Sequence, residues 1–178
     1  MKKQLLFLTL TAFLISCSGN KTSNAQAAEP ETAVEAQDTK EENKAPEAPD
    51  FTLNDINGKP LTLSSLRGKY VVLDFWGSWC IWCIRGIPKM KEYYAKYADK
   101  MEILGIDCND RVERWKAAVA EYQIPWLHVY NTDESHLLEK YGIEGFPTKV
   151  VVDPEGRIAN VVVGEDPAFY AYLDELFQ

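Results

Sequence analysis

The stretch Tyr70-Val71-Val72-Leu73-Asp74-Phe75-Trp76 followed by Gly77-Ser78-Trp79-Cys80-Ile81-Trp82-Cys83 decides how this chain is read. Its first half is a short apolar run rich in β-branched and aromatic side chains, the pattern of a buried strand. From Ile84 onward the spacing turns helical, so the two cysteines fall at a strand-to-helix junction. Cysteines separated by two residues can close a small disulfide, hold part of a metal site, or exchange electrons with other thiols. The residues around the pair have to decide among these.

Working outward, Phe51-Thr52-Leu53 and Lys59–Leu63 flank Asn57-Gly58, a strong hairpin signal. Ser64–Gly68 reads as a short turn or helix ended by glycine. Tyr70–Trp76 is the first core strand, and Ile81–Tyr97 a helix in which Pro88 is expected to kink the axis. Met101–Asp107 is the next strand. Arg111–Tyr122 is amphipathic, with Val112, Trp115, Val119 and Tyr122 spaced for one face. Trp126–Tyr130 reads as a short strand and Ser135–Tyr141 as a helix. Thr148–Asp153 and Arg157–Gly164 are strands joined across Asp153-Pro154-Glu155-Gly156. Pro167–Phe177 closes with a helix. This order implies an α/β domain with a central mixed sheet and helices on both faces.

The beginning of the chain has another character. Met1-Lys2-Lys3 is basic, and Leu5–Ile15 is an apolar run of about 11 residues, a signal-peptide core rather than a span of roughly 20. Leu14-Ile15-Ser16-Cys17 resembles the lipobox of bacterial lipoproteins. That resemblance makes residues 1–16 a cleaved signal peptide and Cys17 a lipid-carrying N-terminus, held at a membrane by more than one acyl chain. Ser18–Pro49 contains no aromatic residue and a single valine, so it cannot bury enough apolar surface to become ordered. Residues 17–49 are therefore expected to form a disordered tether, spanning roughly 30 Å at about 5–6 Å × √n. Residues 50–178, roughly 129 of them, are long enough for one domain.

Composition narrows the chemistry. A formal net charge of −8 argues against nucleic-acid binding. A zinc site wants about four ligands, yet no second pair of closely spaced cysteines appears and the histidines are only His128 and His136. Haem attachment wants a histidine after Cys83, where Ile84 stands. Cys108 is the odd thiol and reads as a semi-buried structural cysteine, with a third redox cysteine as the alternative. Trp76 and Trp126 read as core.

At this point the chain resembles the TlpA/ResA-like branch of the thioredoxin superfamily, membrane-tethered thiol-disulfide oxidoreductases of the bacterial envelope. Ala48-Pro49-Asp50-Phe51 with the following hairpin resembles that family's N-terminal extension. Asp74-Phe75-Trp76, Trp79-Cys80 and Cys83 are similar to its active-site strand and motif, and Gly145-Phe146-Pro147-Thr148 to its loop with a cis-proline. The resemblance implies a thioredoxin fold over residues 50–178 that uses no cofactor and no metal. It further implies substrates among disulfide-containing envelope proteins, apocytochrome c being one candidate, and electrons from a membrane donor of the DsbD/CcdA kind. Net oxidation of substrates is the alternative direction. A peroxiredoxin-like peroxidase and a copper-binding module are weaker alternatives. The first wants a proline and a threonine ahead of Cys80, and the second a three-residue gap and a partner histidine.

On this reading Cys80, at a helix N-terminus, is the partly exposed nucleophile, with a pKa of about 3.5–7.5 rather than 8.5. Cys83 is the more buried resolving thiol. Asp74 points to a face that should be buried, which raises its pKa and suits it to pass protons to and from Cys83. Trp79, Trp82, Phe146 and Pro147 are expected to form the apolar rim that receives substrate. Two departures stand out. Gly86 occupies the position, three residues after the second cysteine, where relatives commonly carry glutamate. Thioredoxin's lysine near its acid is also expected to be missing, since Met101–Asp107 contains none.

Overall fold

The structure is a computed structural model, and it describes residues 45–178. The signal peptide, Cys17 and the tether up to residue 44 lie outside the described residues.

Seven strands form one mixed sheet in the order β2-β1-β5-β4-β3-β6-β7. The strands are β1 (Thr52–Asp55), β2 (Pro60–Thr62), β3 (Tyr70–Trp76), β4 (Met101–Asp107), β5 (Leu127–Tyr130), β6 (Thr148–Val152) and β7 (Ile158–Val163). The helices are α1 (Ile81–Tyr97), α2 (Val112–Glu121), α3 (Leu137–Lys140) and α4 (Pro167–Leu176). β3 is an inner strand, parallel to β4 and antiparallel to β6, and β4 is parallel to β5. Burial on both faces explains why β3 and β4 read as almost continuous apolar runs. The hairpin β1–β2 adds to the sheet antiparallel to β5.

Two apolar layers sandwich the sheet. On one face α1, α2 and α4 bury Ile87, Met90, Trp115, Val119, Phe169 and Leu173 against Val72, Trp76, Met101 and Ile103. This layer lies under the cysteine pair, and Trp76 and Trp126 belong to it as expected. On the other face Phe51, Leu63 and Leu137 cover Leu73, Phe75, Leu104 and Ile106. The second face is thinner because a 3-10 turn at Leu63–Leu66 and the single-turn α3 stand where long helices stand on the first.

Local differences from the sequence reading have physical reasons. The helix expected over Ser135–Tyr141 breaks at His136, whose φ of 51° puts it in the left-handed region between a 3-10 turn and α3. Val112 is exposed, because the buried face of α2 starts one turn later at Trp115. Pro88 lies inside α1, whose hydrogen-bonded helix continues to Tyr97. The folded part also starts upstream of Asp50. The amide of Ile158 donates to the Pro46 carbonyl at 2.8 Å and that of Ala48 to the Gly156 carbonyl at 2.9 Å. Those bonds lay Pro46–Ala48 along the start of β7 as an extra extended segment. Tyr141 adds a hydroxyl bond to the Pro49 carbonyl at 2.8 Å.

Candidate active site

β3 ends at Trp76 and α1 begins at Ile81, so Gly77–Cys80 form the turn that carries the first cysteine. Cys80 is the N-cap of α1, in extended conformation, and its Sγ accepts the Cys83 amide at 3.1 Å. A sulfur so placed meets unsatisfied amides and the positive end of the helix dipole, which favour thiolate once the bond is reduced. Here Cys80 and Cys83 are joined as a disulfide with their Cα atoms 5.3 Å apart. The expected contrast in burial is not present in this oxidised form: Cys80 is 5% exposed and Cys83 6%. In this form exposure does not separate nucleophile from resolving thiol.

The turn is held from β4 and the segment after it. The Ser78 amide donates to Asp110 Oδ2 at 3.0 Å, and the Trp79 indole nitrogen donates to the Cys108 carbonyl at 2.9 Å. Cys108 itself is fully buried, with its sulfur 3.3 Å from the Ile106 carbonyl. Burial pushes its thiol well above the ordinary range. That is the structural cysteine of the two alternatives. Asp110 escaped the sequence reading because a loop acid carries no local sign of gripping a distant turn, although its side chain is only 1% exposed.

Around the disulfide, Trp79 is 45% exposed and Trp82 57%, with Ile81 exposed between them. The Trp79 ring meets Phe146 edge-on at 5.2 Å, and the Arg85 guanidinium lies 4.9 Å from the centre of the Trp82 ring. The Phe146-Pro147 bond is cis, as the resemblance implied. Phe146 is half-buried and Pro147 buried, so the accessible rim is Trp79, Ile81, Trp82 and part of Phe146. Such an apolar patch beside a reactive bond marks a contact surface.

Asp74 lies on the face of β3 that supports α1, and its Oδ1 has no hydrogen-bond partner among the described residues. Burial lifts its carboxyl above the ordinary range; the Lys149 ammonium opposes that rise and the Glu165 carboxylate adds to it. β4 carries no lysine, as expected, but another strand places one beside Asp74. It comes from β6, where Lys149 is the direct register partner of Asp74, rather than from β4. Lys149 is 2% exposed and bonds Glu165 Oε2 at 2.8 Å. Glu165 also accepts the Tyr170 hydroxyl. The same carboxylate fills the space over Gly86: a Cβ there would stand 2.5 Å from Glu165 Cδ. The position without its expected glutamate thus faces a carboxylate supplied by the turn between β7 and α4. A lysine inside the apolar run Thr148–Val152 was the available signal for this network; Glu165 had none.

Comparison with known proteins agrees with the geometry. The AhpC/TSA family profile matches residues 45–161. The thiol-disulfide oxidoreductase ResA of Bacillus thuringiensis subsp. konkukian is 32% identical over 93% of this chain and 91% of its own. ResA of Bacillus subtilis is 32% identical over 92% and 87%. Among solved structures, the thioredoxin domain of a thiol-disulfide oxidoreductase from Bacteroides vulgatus superposes with a TM-score of 0.70 at 32% identity, covering 75% of this chain and 97% of that one. A thiol:disulfide interchange protein from a Bacteroides species gives 0.67 at 33% identity, covering 75% and 88%. Fold and site define a thioredoxin-fold thiol-disulfide oxidoreductase. The chain belongs to the AhpC/TSA family, among the relatives of ResA.

Proposed function

We propose that this protein is a membrane-tethered reductant of disulfides in envelope proteins, with apocytochrome c as one candidate substrate. The observation that carries the reading is the Cys80–Cys83 disulfide at the N-cap of α1, bordered by exposed Trp79, Ile81 and Trp82. The tether is assigned to a lipid on Cys17 because Leu14-Ile15-Ser16-Cys17 resembles the lipobox of bacterial lipoproteins. The reducing direction rests on the resemblance to the TlpA/ResA-like branch.

In the reduced protein the Cys80 thiolate attacks one sulfur of the substrate disulfide, and the other sulfur leaves as a thiolate. A mixed disulfide then joins Cys80 to the substrate. The Cys83 thiol gives its proton to Asp74 and attacks Cys80 Sγ, displacing the substrate's remaining thiolate. Two electrons have passed to the substrate, and the Cys80–Cys83 bond has formed. A membrane donor of the DsbD/CcdA kind regenerates the dithiol by the reverse exchange, in which Asp74 returns a proton to Cys83. An acid with an ordinary pKa is too weak a base for this task, and the burial of Asp74 moves it toward the working pH.

A trapping experiment tests the reading. With Cys83→Ala in the full chain, envelope proteins are expected to accumulate as mixed disulfides with Cys80 and to be released by dithiothreitol. No reducible adducts, together with no insulin reduction by the parent protein, would remove the proposal.

A further inference from the structure

Lys149 is a cation buried between two carboxylates. On one side is Asp74, its register partner on β3, and on the other is Glu165. Taking an unpaired ammonium out of water is costly, so the lysine must have a counter-ion. The structure seats it on Glu165 Oε2 at 2.8 Å and leaves Asp74 Oδ1 without a partner. Glu165 is itself fixed: its side chain is only 19% exposed, the Tyr170 hydroxyl donates to Oε1, and the bare Cα of Gly86 makes room for the carboxylate against α1.

We propose that Glu165 is a positioning residue that holds the Lys149 ammonium away from Asp74 and so keeps Asp74 able to carry a proton. Two carboxylates compete for one buried cation, and the one without it is the one that stays neutral more readily. Were Lys149 to bond Asp74 instead, Asp74 would be pinned in its ionised form as a weak base. Gly86 belongs to the same device, because any side chain there drives the Glu165 carboxylate off its seat.

The other titratable groups around Asp74 do not supply this control. Cys80 at the N-cap of α1 and Cys83 within it are tied up in the disulfide. Tyr93 of α1 donates to Asp174, and Tyr170 of α4 donates to Glu165. β4 presents Gly105 at the register position beside Asp74, with His128 of β5 beyond it. Cys108, at the end of β4, and Asp107 are buried groups without positive charge. Lys149 is the one cation among them.

The proposal rests on the exchange reading for its consequence, but its test does not. In the oxidised full chain, the Asp74 carboxyl carbon is followed by NMR as pH is varied. Glu165→Gln is expected to lower the Asp74 midpoint by about one pH unit or more, as an opposite charge settles within reach. In the Lys149→Gln background the same Glu165→Gln change is expected to lower the midpoint by clearly less, since only the direct repulsion between the two carboxylates is then removed. Gly86→Ala, which changes no charge, is expected to shift the midpoint in the same direction as Glu165→Gln by a smaller amount, and it serves if Glu165→Gln fails to fold. An unmoved midpoint in both variants overturns the proposal. So does a drop of the same size without Lys149, since direct repulsion between the carboxylates would then account for all of it. The titration reads Asp74 whether or not the protein turns over, so loss of the exchange reading would leave this result standing.

Discussion

Asp74 and Asp107 lie on neighbouring strands, on one face of the sheet and two residues apart in register, and both are buried. Burial raises both pKa values, that of Asp107 to about 8 with help from Asp110. Their neighbours differ. Asp74 lies on the face that supports α1 and has Lys149 and Glu165 within electrostatic reach. Asp107 is the register partner of Trp76 and Tyr130, and neither of its oxygens has a hydrogen-bond partner among the described residues. Desolvation alone makes an acid neutral. A cation that can be given or withheld beside it makes the acid adjustable, and only Asp74 has one.

The sharpest way to break this contrast is kinetic. Asp74→Asn is expected to slow insulin reduction near neutral pH by about 10²-fold, the scale of one positioned proton-transfer group. Asp107→Asn is expected to leave the rate within about twofold, since the residue touches no reacting group. Equal losses would erase the distinction.

The next effect is on stability. The folded protein keeps a proton on Asp107 up to pH about 8, whereas an unfolded aspartate loses it near pH 4. Between those values unfolding releases a proton, so Asp107 makes stability fall as pH rises through that window. Asp107→Asn is therefore expected to raise the thermal midpoint at pH 9 by several degrees and to leave it nearly unchanged at pH 3. Calorimetry at the two pH values reads the difference.

His128 should act with the opposite sign. Burial lowers its pKa to about 4, so between the unfolded value near 6.5 and that point the unfolded chain gains a proton the folded one refuses. Stability due to this group is lost as pH falls through the window. His128→Asn is expected to flatten that acid limb in denaturant titrations, after allowance for any uniform packing loss.

The smallest effect concerns the rim. Trp82→Ala is expected to raise KM for a protein disulfide a few-fold and to leave the reaction with dithiothreitol unchanged, because the small thiol needs no apolar platform. Steady-state comparison of the two reactions checks it.

What was legible in the sequence was local. Val71–Trp76 announces a buried strand by composition, and Cys80 with Cys83 announces chemistry by spacing; both stand where expected. Asp74 was legible because a carboxylate in an apolar strand conflicts with its surroundings. The residues that tune it were not, because their places depend on register. Lys149 reaches Asp74 only through the antiparallel pairing of β6 on β3, and Glu165 only through the turn before α4. The pairing of Pro46–Ala48 with the β6–β7 turn escaped for a related reason: an extended segment added at a sheet edge leaves no periodic trace. The left-handed break at His136 also lacks a signal, since no glycine or asparagine marks it.

The central claim, that the Cys80–Cys83 pair delivers electrons to its substrates, is tested most directly by the reduction potential. The full chain is equilibrated with glutathione or dithiothreitol buffers at pH 7, and the fraction oxidised is read by thiol labelling. A value near about −270 mV, in the range of thioredoxin, is expected for a reductant. A value near about −120 mV, that of a strong oxidant, would contradict the account.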